Sequence, residues 1–337
     1  MKQISSIIML GAVFVCMGCR DMRPKAQDWV ISAPEASALG VSCGLALALE
    51  SPTARQAIAK FPQFDQALEL FLDKAKIDPT LETGRVSAYL ISRPGAKMPQ
   101  SLASADDLAS LAQTVFFQIA GFRDPKAVER MVTETFPPSG SLSMGGREYP
   151  LFVVFDVNNF HMRVFSDKEG RLWIGEMAAL QELAKRHKFG DNSPVSRASE
   201  WVSGAGAIQG FIQPELMPSD MMQEFAKVVP AGIKGVAWSI TPPDKGGQTV
   251  ELDLVVTGAE NAITQLKPWM QRLIAMASTL GGEGSKPPDT VQENNRMGIR
   301  CQFNKDQLAD ALKLIDLDNV IVLPKDANLS APVKTKK

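Results

Sequence analysis

Apolar and polar residues alternate over many short stretches of the chain, and this alternation predicts β-strands in two successive regions. In the first region the predicted strands are 38–49, 85–92, 114–122, 149–156, 160–166 and 172–175. In the second region they are 205–213, 233–241, 249–257 and 296–303. Within the strand 249–257, Glu251 and Asp253 alternate with aliphatic residues, which is typical of an antiparallel strand with one exposed face.

Apolar residues with helical spacing separate these strands. The predicted helices are 53–60, 63–76, 105–112, one that begins at Asp124-Pro125, 176–188, 219–229, 259–279 and 304–315. Asp at the N-cap followed by Pro at the first helical position is a clear start signal. Pro268 should kink the helix 259–279 or mark its true beginning. The stretches 137–146 and 281–289 are rich in Gly, Pro and Ser, and they predict loops.

The order of elements is the same in both regions: strand, helix, strand, strand, helix, strand and a closing helix. This order predicts an α+β protein in which a split β-α-β, ferredoxin-like unit is duplicated, with antiparallel sheets that carry helices on one face. Trp29 would begin the first unit and Trp201 the second. We therefore predict two related units, residues 29–190 and 191–324, followed by a disordered tail at 325–337.

The N-terminus has the plan of a secretory signal peptide, because a lysine precedes an apolar run that is shorter than the roughly 20 residues of a membrane span. The run ends in Cys16-Met17-Gly18-Cys19, which resembles the lipobox of bacterial lipoproteins. In that family the peptidase cuts after the small residue, and the next cysteine carries the lipid. The resemblance implies a signal peptide at 1–18, lipidation of Cys19 and a polar tether at 19–28.

A lipid anchor would make a membrane the first partner of this protein. Arg20 follows the cysteine, where an Asp retains lipoproteins of some bacteria at the inner membrane, so the resemblance favours the outer membrane over the inner one. The anchored protein would face the periplasm or the exterior. The alternatives are an ordinary secretory signal cut nearby and an uncleaved anchor. The body also loosely resembles uncharacterised duplicated α+β lipoproteins of bacterial envelopes, and this resemblance of pattern carries no site residues.

Composition narrows the function classes. With 337 residues, 45% of them hydrophobic, the chain can bury a core in each of two domains. Its 36 basic and 37 acidic residues balance, which excludes a chain that is mainly disordered and a nucleic-acid binder with a basic face. Two histidines and four cysteines leave little material for metal or nucleophilic chemistry, and no cofactor or metal is predicted.

Two cysteines would remain as thiols in the mature chain, Cys43 and Cys301, once Cys16 is removed and Cys19 is acylated. In an oxidising envelope these two thiols could form a disulfide. Each of them, however, lies on the apolar side of its strand pattern, which is typical of a buried free thiol. The sequence favours two free thiols and keeps the disulfide as the alternative.

Catalytic motifs are weak. His161 alternates with Arg163 in a strand pattern, and His187 ends a helix, where positive charge suits the helix dipole. Glu251 and Asp253 share one strand face at about 6–7 Å, near the spacing of paired carboxylates in glycosidases. Alternating acids on an exposed strand face also protect against edge aggregation, and they are common in that role. The sequence therefore predicts no catalytic residue.

The preferred hypothesis is a lipid-anchored envelope protein that acts as a binding, scaffold or interaction module without catalysis, with an envelope protein or polymer as its partner. The alternatives are a hydrolase that cuts envelope polymers through carboxylates and a carrier of a hydrophobic ligand. The predicted contact surface is a sheet face that no helix covers. The side chains expected to point outward there are His161, Arg163, Trp238, Glu251, Asp253, Arg300 and Gln302.

Overall fold

One antiparallel sheet organises the protein. The computed structural model describes residues 37–44, 84–91, 113–122, 124–157, 160–185, 208–226, 229–241, 247–280, 286–304 and 306. Strand accounts for 53% of these residues and helix for 28%. The described part of the chain is therefore mostly β.

The strands and helices of the described residues are numbered here in chain order. The strands are β1 (Ser37–Gly44), β2 (Arg85–Ile91), β3 (Val115–Ala120), β4 (Pro138–Met144), β5 (Arg147–Val157), β6 (Phe160–Ser166), β7 (Leu172–Glu176), β8 (Ile208–Ile212), β9 (Ile233–Thr241), β10 (Thr249–Gly258), β11 (Asp289–Glu293) and β12 (Arg296–Asn304). The helices are α1 (Pro125–Thr135), α2 (Met177–Lys185), α3 (Ser219–Ala226), α4 (Glu260–Gln265) and α5 (Lys267–Leu280), with a 3₁₀ turn at Pro214–Leu216.

The strands form a single sheet in the order β11-β12-β10-β9-β8-β1-β2-β3-β7-β6-β5-β4. At its middle, β1 pairs with β8 in antiparallel register, with Val41 opposite Gly210. Glycine is needed on both strands of this pair, because the ring of Phe211 lies over Gly40 and the indole of Trp238 lies over Gly210, where a β-carbon would clash with the ring. Strands from both predicted units thus lie in one sheet.

The predicted fold class is wrong: the sheet is not a duplicated α+β, ferredoxin-like arrangement. In a split β-α-β unit, two strands joined by a helix have another strand between them. Here β8 and β9, which α3 connects, are direct antiparallel neighbours. Alternation within a strand determines which side chains share a face, but it does not determine which strands are neighbours. The sequence pattern therefore predicts where the strands lie along the chain, but not their order in the sheet.

Four of the helices pack on the same side of the sheet, which we call the first face. Val128 of α1, Met221 and Phe225 of α3, Ile263 of α4 and Met270 of α5 are buried there against aliphatic strand residues. Each such side chain contributes about 1.5–3 kcal/mol by leaving water. The helices of the first face therefore hold most of the sheet, from β5 to β12.

The opposite side, which we call the second face, carries an aromatic core over β2, β3, β6 and β7. The rings of Tyr89 and Phe116 stack with their centroids 5.3 Å apart, and those of Phe165 and Trp173 stack at 6.2 Å. Helix α2 closes this core, since its leucines belong to the same buried cluster. The aromatic core ends at the centre of the sheet, where the second face becomes polar.

The hairpin turn between β6 and β7 is built around Asp167, whose side chain is 3% exposed. Its Oδ1 accepts hydrogen bonds from the backbone N–H groups of Glu169 and Arg171, both at 3.0 Å. Its Oδ2 accepts from Nε of Arg171 at 2.6 Å and from the indole Nε1 of Trp173 at 2.8 Å. One carboxylate thus ties the turn to the aromatic core.

Several predicted elements are confirmed. Strands β6 and β9 have the predicted bounds. Asp124 caps α1 and accepts hydrogen bonds from the N–H groups of Lys126 and Ala127. The helix predicted at 259–279 is two helices that meet at Leu266, so Pro268 marks the beginning of α5.

Two edge strands were missed. The predicted loop 137–146 contains β4, and the predicted loop 281–289 ends where β11 begins. Both strands lie at the edges of the sheet, where a strand is paired on one side only and needs few apolar residues. Other predictions lie outside the described residues: the signal peptide 1–18, Cys19 and the tether 19–28, Trp29, Trp201, the helices 53–60, 63–76 and 105–112, most of the helix 304–315, and the tail 325–337.

Candidate functional site

A row of polar side chains crosses the centre of the second face. The strand registers place these residues directly opposite one another on seven adjacent strands from β3 to β12. We call this set the polar row, and its members are Gln118, Ser87, Ser42, Gln209, Ser239, Asp253 and Arg300. Such a row is unusual because polar side chains at the centre of a sheet must be desolvated and then satisfied by hydrogen bonds.

Most of the polar row is buried. Ser42 and Ser87 are at most 2% exposed, Gln118 and Asp253 are each 1% exposed, and Gln209 is 5% exposed. These positions alternate with residues of the packed first face, so all of their side chains point to the second face. The row therefore places a set of donors and acceptors in the interior rather than on an open surface.

Arg85 lies beside the row, at the start of β2, and is 1% exposed. Its Nε donates to Oγ of Ser42 at 2.9 Å, and Ser42 also accepts from Oγ of Ser87 at 2.9 Å. Nη2 reaches the carbonyl oxygen of Ser42 at 3.4 Å. Burial lowers the pKa of Arg85 below its ordinary value, against the opposing effects of Cys43 and Tyr89. Within the described ranges, the partners of the guanidinium are thus neutral oxygens.

Two buried donors at this point lack an acceptor. Nη1 of Arg85 and Nε2 of Gln118 have no hydrogen-bond partner within the described chain. Gln118 accepts through its Oε1 from the hydroxyl of Tyr89 at 3.4 Å, which directs its amide N–H₂ away from that ring. Unsatisfied buried donors are rare and cost about 1–3 kcal/mol each. Both orphaned groups are donors, so an acceptor would complete them.

At the β12 end of the polar row, an arginine and an aspartate form an ion pair. Nε of Arg300 donates to Oδ1 of Asp253 at 2.6 Å, and Nη2 donates to Oδ2 at 3.3 Å. Ser239 adds a long contact to Oδ2 of the same carboxylate, at 3.5 Å. The hydrogen bond to Asp253 raises the pKa of Arg300 above its ordinary value, against desolvation. Arg300 therefore has a carboxylate partner, whereas no described carboxylate pairs with Arg85.

The carboxylates considered for hydrolysis converge on that arginine. Nε of Arg300 also lies 3.5 Å from Oε1 of Glu251, whose Oε2 accepts from Nε2 of Gln302 at 3.5 Å. Glu251 and Asp253 share one face, as the strand pattern predicts. Their oxygens are engaged by neighbouring side chains, so the arrangement supports an ion-pair network better than a pair of catalytic acids.

A second polar cluster lies on the same face near the β4 edge of the sheet, on β5 and β6. Arg163 and His161 both bind the carboxylate of Asp156, with Nδ1 of His161 at 3.1 Å from Oδ1. Nε of Arg163 donates to Oγ of Ser139 at 2.7 Å. Partial burial raises the pKa of Asp156, but the hydrogen bonds from Arg163 and His161 outweigh it and hold that pKa below its ordinary value. The serine contacts the arginine, so the cluster has no nucleophile–base pair.

The predicted contact residues divide into three groups. Trp238 was expected to point outward, and this is wrong: it lies on the first face, 4% exposed, within the core under α3. Asp253 and Arg163 lie on the second face but are buried. The remaining residues of that set lie on the second face and are partly exposed: His161, Glu251, Arg300 and Gln302. His187 lies outside the described residues.

Cys43 and Cys301 are free thiols on the first face. The strands that carry them are separated in the sheet by β8, β9 and β10, which is about 19 Å at the usual strand spacing of about 4.8 Å. A disulfide requires Cα atoms within about 7 Å, so the alternative disulfide is not formed. Burial raises the pKa of Cys43 to about 11, against the effect of Arg85. Burial, with Asp253 and Glu251, raises the pKa of Cys301 to about 12.

The sequence pattern alone does not single out Arg85, Gln118 or the serines of the polar row. A signal was present, because Arg85 is a charged residue at the start of a mostly apolar strand, and Gln118 interrupts the run Val115–Ala120. Their juxtaposition depends on the register between β2 and β3, in which Ser87 lies opposite Gln118. Register is a tertiary property, which a single strand does not report.

Comparisons with known proteins give no further guidance. No protein-family model matches the chain, and no curated protein or solved structure is significantly similar to it. Within the described ranges, no helix is long and apolar enough to cross a membrane, and no three potential metal ligands cluster. The function is therefore argued from the polar row and from the N-terminal sequence.

Proposed function

We propose that this protein is a lipid-anchored component of a bacterial cell envelope that binds a ligand at the polar row without catalysing a reaction. The observation that carries the binding role is the buried pair of donors without acceptors, Arg85 and Gln118, at the centre of the sheet. Desolvating such donors costs free energy unless hydrogen-bond acceptors satisfy them. A ligand that brings the missing acceptor would supply that partner.

The anchoring role rests on the lipobox-like segment that ends at Cys19. A cut before this residue would leave an acylated N-terminus joined to a short polar tether, and several acyl chains would hold the protein stably on a bilayer. The outer membrane is the proposed location, with the body facing the periplasm or the exterior. The intact mass of protein purified from envelope membranes tests this role: an acylated Cys19 supports it, and an unmodified or uncleaved N-terminus refutes it.

The binding role is tested by native mass spectrometry of the full chain purified in detergent. We expect a bound small molecule that is lost when the row is disrupted by Gln209→Leu. The matched control is Gln292→Leu, an exposed glutamine on the edge strand β11. Loss of the bound mass in the row variant alone supports the site. Hydrogen–deuterium exchange with small-molecule envelope extract is the second measurement, and we expect protection at β1, β2 and β8. If neither a bound mass nor protection is observed, the binding role is refuted.

A further inference from the structure

Among the described residues, Arg85 is a buried arginine without a carboxylate partner. Asp253, Asp156 and Asp167 each have an arginine partner, and each pair lies on or beside the second face. Arg85 has no ion pair in the described chain, although its exposed fraction of 1% is lower than that of the arginines in those pairs. An unpaired buried charge is strongly destabilising, because its desolvation is not compensated.

Arg85 and Gln118 are neighbours on the second face of the sheet. Ser87 lies opposite Gln118 across the β2–β3 ladder, and Arg85 is two residues before Ser87 on the same face. Arg85 and Gln118 are therefore diagonal neighbours at about 7 Å, within the reach of long side chains. The residues directly opposite Arg85 are Gly44 on β1 and Ala120 on β3, so no large side chain occupies the flanking positions.

The chemistry of the missing partner follows from the donors. Nη1 of Arg85 and Nε2 of Gln118 both require an acceptor, and the guanidinium charge requires a negative one. We propose that Arg85 and Gln118 form an anion-binding site at the centre of the second face, which takes an oxyanion group of the carboxylate or phosphate class. Ser42 holds the guanidinium through its hydroxyl and carbonyl oxygens, and Ser87 donates to the same hydroxyl oxygen. The site rests on the proposed function, to which it assigns a ligand class.

Thermal unfolding and titration calorimetry of the full chain test this site with three probes: inorganic phosphate, acetate, and chloride at equal ionic strength. A saturable rise of the unfolding temperature is expected with at least one oxyanion and not with chloride, because a ligand that binds only the folded state stabilises it. Phosphate alone indicates the phosphate class, acetate alone indicates the carboxylate class, and both indicate an oxyanion in general. No saturable effect of either overturns the proposal.

Three variants assign the effect to these residues. Arg85→Met should abolish oxyanion binding, and it should raise the stability of the ligand-free protein because an unpaired buried charge is removed. Arg85→Lys keeps the charge but loses the planar fork, and Gln118→Leu loses the second donor; each should weaken binding by about tenfold or more. The control is Arg147→Met, an exposed arginine on β5, which should leave binding unchanged.

The outcomes separate this proposal from the proposed function. Oxyanion binding that persists in Arg85→Met overturns the site, because the anion then binds elsewhere. If Arg85→Met does not fold, unchanged binding in both Arg85→Lys and Gln118→Leu overturns it equally. A bound molecule that is lost in Gln209→Leu, together with no oxyanion response, would refute the anion site and leave the binding role intact. An oxyanion response without any lipid on Cys19 would refute the anchor and leave the site intact.

Discussion

Removing the carboxylate of Asp167 should destabilise the protein by about 4 kcal/mol, which is large for a turn residue. Asp167→Ala leaves four donors without their acceptor: two backbone N–H groups of the turn, Nε of Arg171 and Nε1 of Trp173. The indole is fully buried and cannot reach water, so its N–H alone costs about 1–3 kcal/mol. The other three donors lie nearer to solvent, and they contribute about 0.5–1 kcal/mol each.

Asp167→Asn separates these contributions. Its amide oxygen can still accept from the two backbone N–H groups that bind Oδ1, while its N–H₂ then faces Arg171 and Trp173 in place of Oδ2. Asp167→Asn should therefore destabilise the protein by about 2 kcal/mol, which is half of the destabilisation expected for Asp167→Ala. In a double-mutant cycle with Trp173→Phe, we expect a coupling free energy of about 1–2 kcal/mol, because the two side chains share one hydrogen bond.

The measurement is urea unfolding followed by far-ultraviolet circular dichroism, with the free energy of unfolding obtained by linear extrapolation. The matched control is Glu148→Ala, since Glu148 is an exposed carboxylate on a neighbouring strand. The reasoning is refuted if Asp167→Ala is as mild as the control. It is also refuted if Asp167→Asn costs as much as Asp167→Ala, because the backbone bonds would then not depend on Oδ1.

Three further predictions concern the sheet and its ionisable groups. Gly210→Ala should cost about 3 kcal/mol in unfolding free energy, because the new methyl group clashes with the indole of Trp238, and Trp238→Leu in the same chain should recover part of it. Burial raises the pKa of Cys43 to about 11 and that of Cys301 to about 12. The free energy of unfolding of the wild type should therefore fall as the pH rises above about 9, because the thiols ionise more readily in the unfolded chain. A Cys43→Ala/Cys301→Ala variant should lose less of its free energy of unfolding between about pH 9 and about pH 11, and equal losses would contradict this. The pKa of Asp156 is lowered, so its contribution to stability is present above about pH 3.8 and is lost as the pH falls below that value. In Asp156→Asn the unfolding temperature should therefore fall less than in the wild type as the pH is lowered through this range.

The strands could be predicted because the information is local. Each strand of the sheet interior alternates between a face under helices and a second buried or polar face, and that alternation is visible in the residues themselves. The edge strand β11 was missed for the opposite reason, and β4 was missed because Pro, Gly and Ser make up five of its seven residues. The five residues of β11 include one aliphatic side chain, Val291, because an edge strand without a packed face has little apolar surface to bury.

The order of the strands and the candidate site depend on the same missing information. Arg85 and Gln118 are 33 positions apart, and each lies in a strand whose other residues are mostly apolar. Only the pairing of β2 with β3 shows that both point to the same side at neighbouring positions. Glu251 and Asp253 could be placed on one face because they share a strand, whereas their common partner, Arg300, is supplied by β12.

Two neighbouring strands near the middle of the sheet, β1 and β8, come from distant parts of the chain. Gln213, directly after β8, donates to the carbonyl oxygen of Ser37 at the start of β1, 176 residues earlier. On either side, hairpins such as β5–β6 and β11–β12 join strands that are neighbours in sequence. Closing a long loop costs more entropy than closing a short one, and contacts of large sequence separation slow folding. We therefore expect the two flanks of the sheet to form first and the β1–β8 seam to close last, so that the seam sets the folding rate.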